Sequence, residues 1–323
     1  MFMCLKSGIM MCISRMRGVV VCVWFCCTLI HCMAQQDPLF SQYQFNTLVI
    51  NPAYAGTRGM MSLMALSRHQ WIGFDGAPST QTFTMHTPFS GSHVSLGFSI
   101  IHDKLIPVNQ TGFYGDYAYS IRLSSNSNLS FGLKGGLNRI VTNMSALSPL
   151  PGSSDPAYSG GNESLLLPNF GFGIYLYHPH YFFGASVPKL LQNDLSSGGV
   201  NQSVLTGHEI RHYFVMGGFV MNVTDQLKLK PSLMMRVAEA APLSVDLNLT
   251  AVCFDRLWIG GMYRQGSAFG GLIQMQFNEQ WRIGYAVEYS INDLQQYNDG
   301  THELMIGYEF SFKKSHIYNP RYF

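Results

Sequence analysis

The feature that most limits what this chain can fold into is a two-residue alternation of apolar and polar side chains over long segments. In the segment that begins at Trp281, one face carries Trp281, Ile283, Tyr285, Val287 and Tyr289, and the other carries Arg282, Gly284, Ala286, Glu288 and Ser290. A period of two with one apolar face indicates a β-strand with two different surroundings. The sequence therefore predicts an all-β protein.

Fourteen such segments follow one another along the chain. They cover residues 60–71, 79–89, 93–104, 111–123, 127–140, 167–178, 181–191, 211–222, 227–238, 242–253, 256–265, 268–278, 281–293 and 300–313. Most are longer than the strands of about 5–6 residues typical of globular proteins. A tilted strand that crosses a bilayer needs about 9–11 residues, and single-chain bacterial barrels have an even number of strands. These features predict a transmembrane antiparallel up-and-down β-barrel of about 14 strands over residues 60–313.

The gaps between segments predict an orientation. Outer-membrane barrels have short turns on the periplasmic side and longer loops outside. The two long gaps, 141–166 and 192–210, follow the fifth and seventh segments, whereas the gaps after even segments are short. With a periplasmic start, both long gaps would lie outside the cell. The short hairpin at Gly266 is an exception, because it follows an odd segment.

A soluble sandwich or propeller is the main alternative. A sandwich usually has shorter strands, and the chain has no internal repeat of the length that a propeller requires. No run of 18 apolar residues follows Gln35, so no membrane-spanning helix is predicted.

Residues 1–34 have the pattern of a secretory signal peptide. Three basic residues, Lys6, Arg15 and Arg17, precede an apolar stretch over 18–30 that is too short to span a bilayer. The small residues before Gln35 predict cleavage between Ala34 and Gln35. A lipoprotein signal with Cys32 as the lipidated residue is the alternative, and translation from Met10 or Met16 would shorten the basic region.

Removal of this signal changes the composition of the chain. Six of the seven cysteines would leave, so that Cys253 alone would remain and no intrachain disulfide could form. The mature chain would carry 17 basic against 18 acidic residues. Such a balance provides no basic field for nucleic acid.

The polar faces of the predicted strands would line the barrel. Their charged residues include Arg122, Lys134, Lys228, Lys230, Arg236, Asp246, Arg282, Glu288, Glu303 and Glu309. Both signs are present, so the lumen could hold water or grip a plug. A barrel of about 14 strands lies between the filled eight-stranded and the open sixteen-stranded sizes.

Residues 35–59 precede the first strand and are rich in apolar groups, which need a surface to bury against. The choice is between the lumen and the periplasmic mouth of the barrel. A charged lumen disfavours an entirely apolar plug, so we expect packing at the mouth and a contribution to partner docking. With an even strand count, this segment and a tail over 314–323 would both lie on the periplasmic side.

Two histidine motifs have the form of metal sites. Residues 208–212 read H-E-x-x-H, but a zinc protease requires this motif on a helix, and here it runs directly into a strand. The pair His178 and His180 is better explained by a turn. Cys253 at a strand end is expected to pack or face lipid. The sequence therefore predicts no catalytic residue, no metal site and no cofactor.

Nine short motifs are spread along the chain. They are F-S-Q-Y-Q-F-N at 40–46, I-N-P-A-Y-A-G at 50–56, Q-W-I-G at 70–73, N-Q-T-G-F-Y at 109–114, P-N-F-G at 168–171, R-H-Y-F at 211–214, L-K-P-S at 229–232, D-R-L-W at 255–258 and P-R-Y-F at 320–323. In this combination they resemble the motifs of the PorP/SprF family of the Bacteroidetes type IX secretion and gliding systems. The resemblance covers essentially all of the mature chain.

The resemblance implies an outer-membrane component that supports protein export or surface attachment of cargo and adhesins. It implies contacts with outer-membrane lipid, periplasmic ring or peptidoglycan-linked subunits, and secreted cargo. The candidate docking residues are Phe40, Tyr43, Phe45, Asn51, Pro52, Tyr54 and Gly56. A passive porin or solute transporter is the alternative, and an outer-membrane enzyme is a third class without a visible nucleophile–base set. The sequence leaves open whether the chain serves the core machine or one cargo.

Overall fold

The computed structural model describes residues 39–143, 163–195, 207–239 and 241–310. The predicted signal peptide with its cleavage site, and the predicted tail over 314–323, lie outside these ranges. The strands are β1 Met61–His69, β2 Ser79–Pro88, β3 Val94–Leu105, β4 Val108–Arg122, β5 Asn128–Thr142, β6 Glu163–His178, β7 Tyr181–Val187, β8 His212–Phe219, β9 Met221–Asn222, β10 Leu227–Ala238, β11 Ser244–Cys253, β12 Leu257–Arg264, β13 Ala268–Gln276, β14 Trp281–Ser290 and β15 Thr301–Phe310. No helix among the described residues is long and apolar enough to cross a membrane.

The strands form one closed antiparallel barrel. Apart from β8 and β9, each strand pairs with its neighbours in sequence, and β1 pairs with β15 from Met61 opposite Phe310 to His69 opposite His302. The short β8 and β9 both pair with β10 and are two parts of one strand interrupted at Val220. The barrel therefore has 14 membrane-crossing strands, which confirms the predicted fold class.

The strand bounds differ from the predicted ones in places where pairing overrides the local pattern. β4 begins at Val108, because a two-residue turn at 106–107 lets β3 and β4 pair up to the turn. β7 ends at Val187, four residues earlier than predicted. Pro188 follows it and has no N–H to donate to a continuing ladder.

The two faces of each strand have different surroundings. On β14, Trp281, Ile283 and Tyr285 are exposed on the outer surface, whereas Arg282 and Glu288 are buried inside. Apolar side chains are exposed on the outer surface of the other strands in the same way. At the turns, this outer apolar surface ends with Phe89, Leu123, Val223 and Phe277. A closed sheet satisfies its own backbone hydrogen bonds, and this outer band would contact lipid.

The barrel has two distinguishable ends. At the turn end, β1 begins, β15 ends, and the connections are the short turns 89–93, 123–127, 179–180, 223–226, 254–256 and 277–280. The opposite end is called the loop end. Both long connections, 143–162 and 188–211, join strands at this end. The assignment of the loop end to the cell exterior stays a prediction.

Candidate functional site

The interior of the barrel is occupied by the chain itself. Residues 39–59, the lumen segment, run from the loop end to the turn end. Near the loop end, Ser41 donates to Glu303 near the start of β15 and to Glu288 near the end of β14. At the turn end, Arg58 binds Glu309 one residue before β15 stops. The segment therefore traverses the lumen instead of lying at one mouth.

The lumen segment is almost completely buried along its length. Its buried residues are Phe40, Ser41, Gln42, Tyr43, Gln44, Phe45, Asn46, Thr47, Leu48, Val49, Ile50, Asn51, Pro52, Ala53, Tyr54, Ala55 and Arg58. Apolar and polar side chains are mixed in this set. The wall is mixed in the same way, because Met64, Phe214, Met234 and Trp258 face inward beside the charged residues.

The turns of the lumen segment follow from its local sequence. Asn51 caps a short 3-10 helix over Pro52–Tyr54: its side-chain oxygen accepts from the Ala53 N–H at 3.0 Å. Proline at the first helical position has no N–H to leave unsatisfied. The Asn51 amide donates to the Ile174 carbonyl at 3.0 Å, which joins the cap to the wall. One asparagine thus sets both the turn and its attachment.

Glycines in the wall make room for this turn. A Cβ at Gly173 would lie 2.1 Å from the Asn51 Oδ1, and a Cβ at Gly132 would lie 2.1 Å from the Ala53 nitrogen. Gly56 ends the turn with a φ of +78°, a conformation that favours glycine. Its N–H donates to His86 Nδ1 at 3.1 Å. The wall and the segment therefore fit each other closely.

A charged cluster holds the segment at the loop end. It consists of Arg68, Asp246, Arg264, Glu288 and Glu303. Arg68 contacts Glu303 and lies 2.8 Å from Glu288, while Arg264 lies 3.0 Å from Glu288 and 2.9 Å from Asp246. Three carboxylates thus face two guanidinium groups. The backbone N–H groups of residues 41 and 42 donate to Glu303 at 2.7 and 3.0 Å and add donors to this acidic set.

Tyr43 links the segment to the same wall. The Asn248 amide donates to its hydroxyl at 3.0 Å. A phenol is neutral at physiological pH, so Tyr43 adds no further charge to the cluster.

Two lysines contact the middle of the segment. The Lys134 ammonium lies 2.8 Å from Asp116 and donates to the Leu48 carbonyl at 3.2 Å. Lys230 is fully buried, with its ammonium 5.4 Å from the centre of the Phe45 ring and 5.6 Å from that of Phe182. Cations over aromatic faces are attracted by the ring quadrupole. The segment thus offers both carbonyl and ring surfaces to charged wall residues.

A second charged cluster closes the turn end. Arg58 lies 2.9 Å from Glu309 and donates through Nε to the Tyr54 hydroxyl at 3.1 Å. Arg282 lies 3.6 Å from the same carboxylate and stacks over Trp258 at 5.2 Å. Removing one partner from such a buried set leaves an uncompensated charge. The lumen segment is consequently fastened at both ends.

The structure places the candidate docking residues inside the barrel. Phe40, Tyr43, Phe45, Asn51, Pro52 and Tyr54 are buried, and the backbone of Gly56 contacts His86. The expected packing at the periplasmic mouth is therefore wrong. That expectation assumed an apolar segment and a charged lumen, whereas both the segment and the wall carry apolar and polar side chains. The expectation that the segment keeps to the side where β1 begins is also wrong, since Phe40 and Ser41 lie near the loop end. A role of these residues in docking stays a prediction.

The H-E-x-x-H motif is not helical in the structure. Residues 209–211 are irregular and β8 begins at His212. The Glu209 carboxylate accepts from the amides of Asn138, Asn169 and Asn193 at 3.1, 3.1 and 2.7 Å. It therefore fastens the chain before β8 to the wall. Within the described ranges, no three His, Cys, Asp or Glu residues are grouped to hold a metal ion.

The comparison with protein families gives one match along most of the chain. Residues 32–308 match the model described as type IX secretion system membrane protein PorP/SprF. The chain belongs to the PorP/SprF family. It is thus a membrane protein of a secretion system with an outer-membrane barrel fold, and it is located in the outer membrane. No curated protein matches it significantly.

Solved structures with a similar fold are outer-membrane barrels. The CymD monoaromatic hydrocarbon channel is 12% identical to this PorP/SprF protein, with a TM-score of 0.50 over 87% of this chain and 95% of that one. The P. putida toluene transporter TodX is 9% identical, with a TM-score of 0.47 over 84% of this chain and 95% of that one. Omp33 of Acinetobacter baumannii is 10% identical, with a TM-score of 0.41 over 78% and 98%. At these identities the likeness concerns the fold alone.

Sequence reasoning missed the two charged clusters of this PorP/SprF protein as units. Arg68 and Arg264 were not among the charged residues singled out, although each lies on a polar strand face. Their pairing depends on which strands meet across the lumen and on the path of residues 39–59. Alternation along a single strand contains neither piece of information.

Proposed function

We propose that this protein supports export or surface attachment of type IX cargo as a docking component, and that cargo does not pass through its own lumen. The observation that carries this proposal is the lumen segment, which fills the barrel and is fastened at both ends. A conduit for a polypeptide would have to expel these residues. A docking component can keep its lumen filled.

The two charged clusters support a permanent arrangement. Arg68 and Glu303 have 3% and 0% of their side chains exposed, so their attraction is little screened by water or salt. Loss of the segment would leave Glu303 without two backbone donors and would uncover a mixed polar and apolar wall. This cost disfavours a passive porin with an open lumen, the alternative function.

Docking would involve the periplasmic subunits of the secretion system and its cargo or adhesin. The candidate docking residues are buried, so their part in docking would be indirect. They would hold the wall strands and their connections in the shape that a partner binds. Whether this PorP/SprF protein serves the core machine or one cargo depends on that partner.

A reversible lock on the lumen segment tests the proposal. Leu48 packs on Gly97, where an added Cβ would lie 3.2 Å from the leucine methyl groups. Leu48→Cys with Gly97→Cys, in a Cys253→Ser background, would join the segment to the wall by a disulfide. We expect locked cells to secrete cargo and to co-purify periplasmic subunits as reduced cells do.

The single variant Leu48→Cys in the same background is the matched control for the lost leucine. Secretion that stops on oxidation in the double variant, and resumes on reduction, would contradict the proposal and favour passage through the lumen. Co-purification that is absent in both states would contradict docking itself.

A further inference from the structure

Three connections at the loop end carry a group of exposed apolar side chains, which we call the loop platform. Its members are Ile72, Phe74, Leu105, Ile106, Leu294 and Tyr297. They belong to the β1–β2 connection, to the β3–β4 turn, and to the short 3-10 helix Asp293–Tyr297 between β14 and β15. Single exposed apolar residues are ordinary, whereas several on neighbouring loops indicate a binding surface.

The three connections contact one another. The Ile72 N–H donates to the Gly300 carbonyl at 2.9 Å, and the Asp299 N–H donates to the Ile72 carbonyl at 2.8 Å. On the other side, a Cβ added at Gly76 would lie 3.8 Å from the Ile106 side chain. The β1–β2 connection therefore joins its two neighbours, and the platform is one surface.

The lipid-facing surface does not continue into the platform on the four strands β15, β1, β2 and β3. An apolar row crosses these strands on the outer face and consists, in pairing order, of Ile306, Ala65, Phe83 and Ile100. A polar row lies on the same face nearer the loop end and consists of His302, His69, Ser79 and Lys104. Because the surface that contacts lipid is an apolar band, a polar row below the platform favours a protein partner over lipid.

The charges of the platform are mainly negative. Asp75, Asp293 and Asp299 are exposed in the same connections. Neither 70–78 nor 291–300 contains a lysine or an arginine, and Lys104 is the one cation of the adjoining β3–β4 hairpin. An apolar partner surface that is flanked by lysine or arginine would be complementary to this platform.

We propose that the loop platform binds the cargo, through an apolar patch of the cargo that is flanked by basic side chains. This inference rests on the proposed docking function and takes the loop end as the outer one. The cargo would cover Ile72, Phe74 and Tyr297, and its basic side chains would face the three aspartates.

Crosslinking in intact cells tests where the cargo lies. The cargo is first identified as the surface protein that disappears when the gene for this chain is deleted. A photoreactive benzoyl group on the ring of Phe74 or Tyr297 should crosslink to this cargo, and one on Phe83 of the outer face should not. Crosslinks to lipid alone at all three positions would overturn the inference, because the platform would then be a membrane-contacting surface.

Binding of the purified cargo to the purified protein gives the matched comparison. Phe74→Ser with Tyr297→Ser should lower the affinity about tenfold or more, since both exchanges remove large apolar side chains from the interface. Phe89→Ser with Phe277→Ser, at two exposed positions of the turn end, is the control and should leave the affinity unchanged. Asp75→Asn with Asp299→Asn should weaken binding and reduce its dependence on salt.

The platform and the docking function fail in different ways. Equal binding by the parent and both platform variants, in barrels that heat-modifiable gel mobility shows to be folded, would overturn the platform and leave docking intact. Cargo that binds neither the parent nor any variant would contradict docking itself, and this inference with it. Tighter binding after Asp75→Asn with Asp299→Asn would indicate an acidic partner surface and would overturn the proposed complementarity.

Discussion

The loop-end cluster predicts how tightly the lumen segment is held. Arg68 contacts both Glu288 and Glu303, and Glu303 accepts from the backbone N–H groups of residues 41 and 42. Arg68→Met would leave two buried carboxylates without their shared cation. Glu303→Gln would leave two carboxylates opposite two guanidinium groups, and would weaken the bonds to the segment without creating an unpaired charge.

The two changes differ in expected magnitude. Loss of one partner from a buried ion pair costs roughly 3–5 kcal/mol, and a hydrogen bond to a charged group contributes roughly 1.5–3 kcal/mol. About 1.4 kcal/mol corresponds to a tenfold change in an equilibrium constant. Local release of the segment should therefore increase by roughly a hundredfold to a few thousandfold in Arg68→Met, and by roughly ten- to a hundredfold in Glu303→Gln.

Thiol labelling of the segment measures this release. Leu48 is buried, so Leu48→Cys in a Cys253→Ser background should react with a maleimide only when the segment leaves the wall. The rates should follow the order Arg68→Met, then Glu303→Gln, then the parent. Asp255→Asn is the control, because Asp255 forms an exposed ion pair with Lys228 at a turn, and such pairs contribute little.

Equal labelling rates in all four proteins, with each barrel folded, would mean that the charged cluster does not hold the segment, or that release requires unfolding of the whole barrel. Fast labelling of the parent itself would show that the segment is not seated as described.

Three further predictions concern the wall, the motif and the orientation. Gly173→Val should displace the turn at Asn51 and destabilise the segment by about 1–3 kcal/mol, which faster labelling at Leu48→Cys would report. Gly271→Ala is the control and should have no effect, because a Cβ at Gly271 would meet nothing closer than 3.7 Å. Glu209→Gln should leave secretion intact and the purified protein should hold no stoichiometric zinc; tightly bound zinc that His208→Ala removes would contradict this. Asp75→Cys at the loop end should react with an impermeant thiol reagent on whole cells while Ser125→Cys at the turn end stays silent, and the reverse pattern would invert the assigned orientation.

The strands were predictable because lipid and lumen impose a strict alternation on each of them. Segments such as the one from Trp281 show this alternation directly in the sequence. The end of β7 was missed because Leu190 and Leu191 follow Val187 closely and extend the apolar pattern. The decisive factor, the missing N–H of Pro188, is nevertheless present in the sequence.

The filled lumen was less predictable than the barrel. The sequence shows that Phe40, Tyr43 and Phe45 need burial, and it shows charges on the lumen faces. It does not show that inward Met64 and Trp258 lie among those charges, or that Gly132 and Gly173 leave space for the turn. The choice between mouth and lumen depends on this fit between distant parts of the chain.

A barrel that is closed by its own residues should not conduct ions, and conductance in planar lipid bilayers measures this. The intact protein should insert without forming steady open channels. Deletion of residues 40–55 behind an unchanged start of the chain should yield stable open pores, provided that heat-modifiable mobility shows a folded barrel. Steady conductance of the intact protein, equal to that of the deletion variant, would show that the lumen segment does not close the barrel.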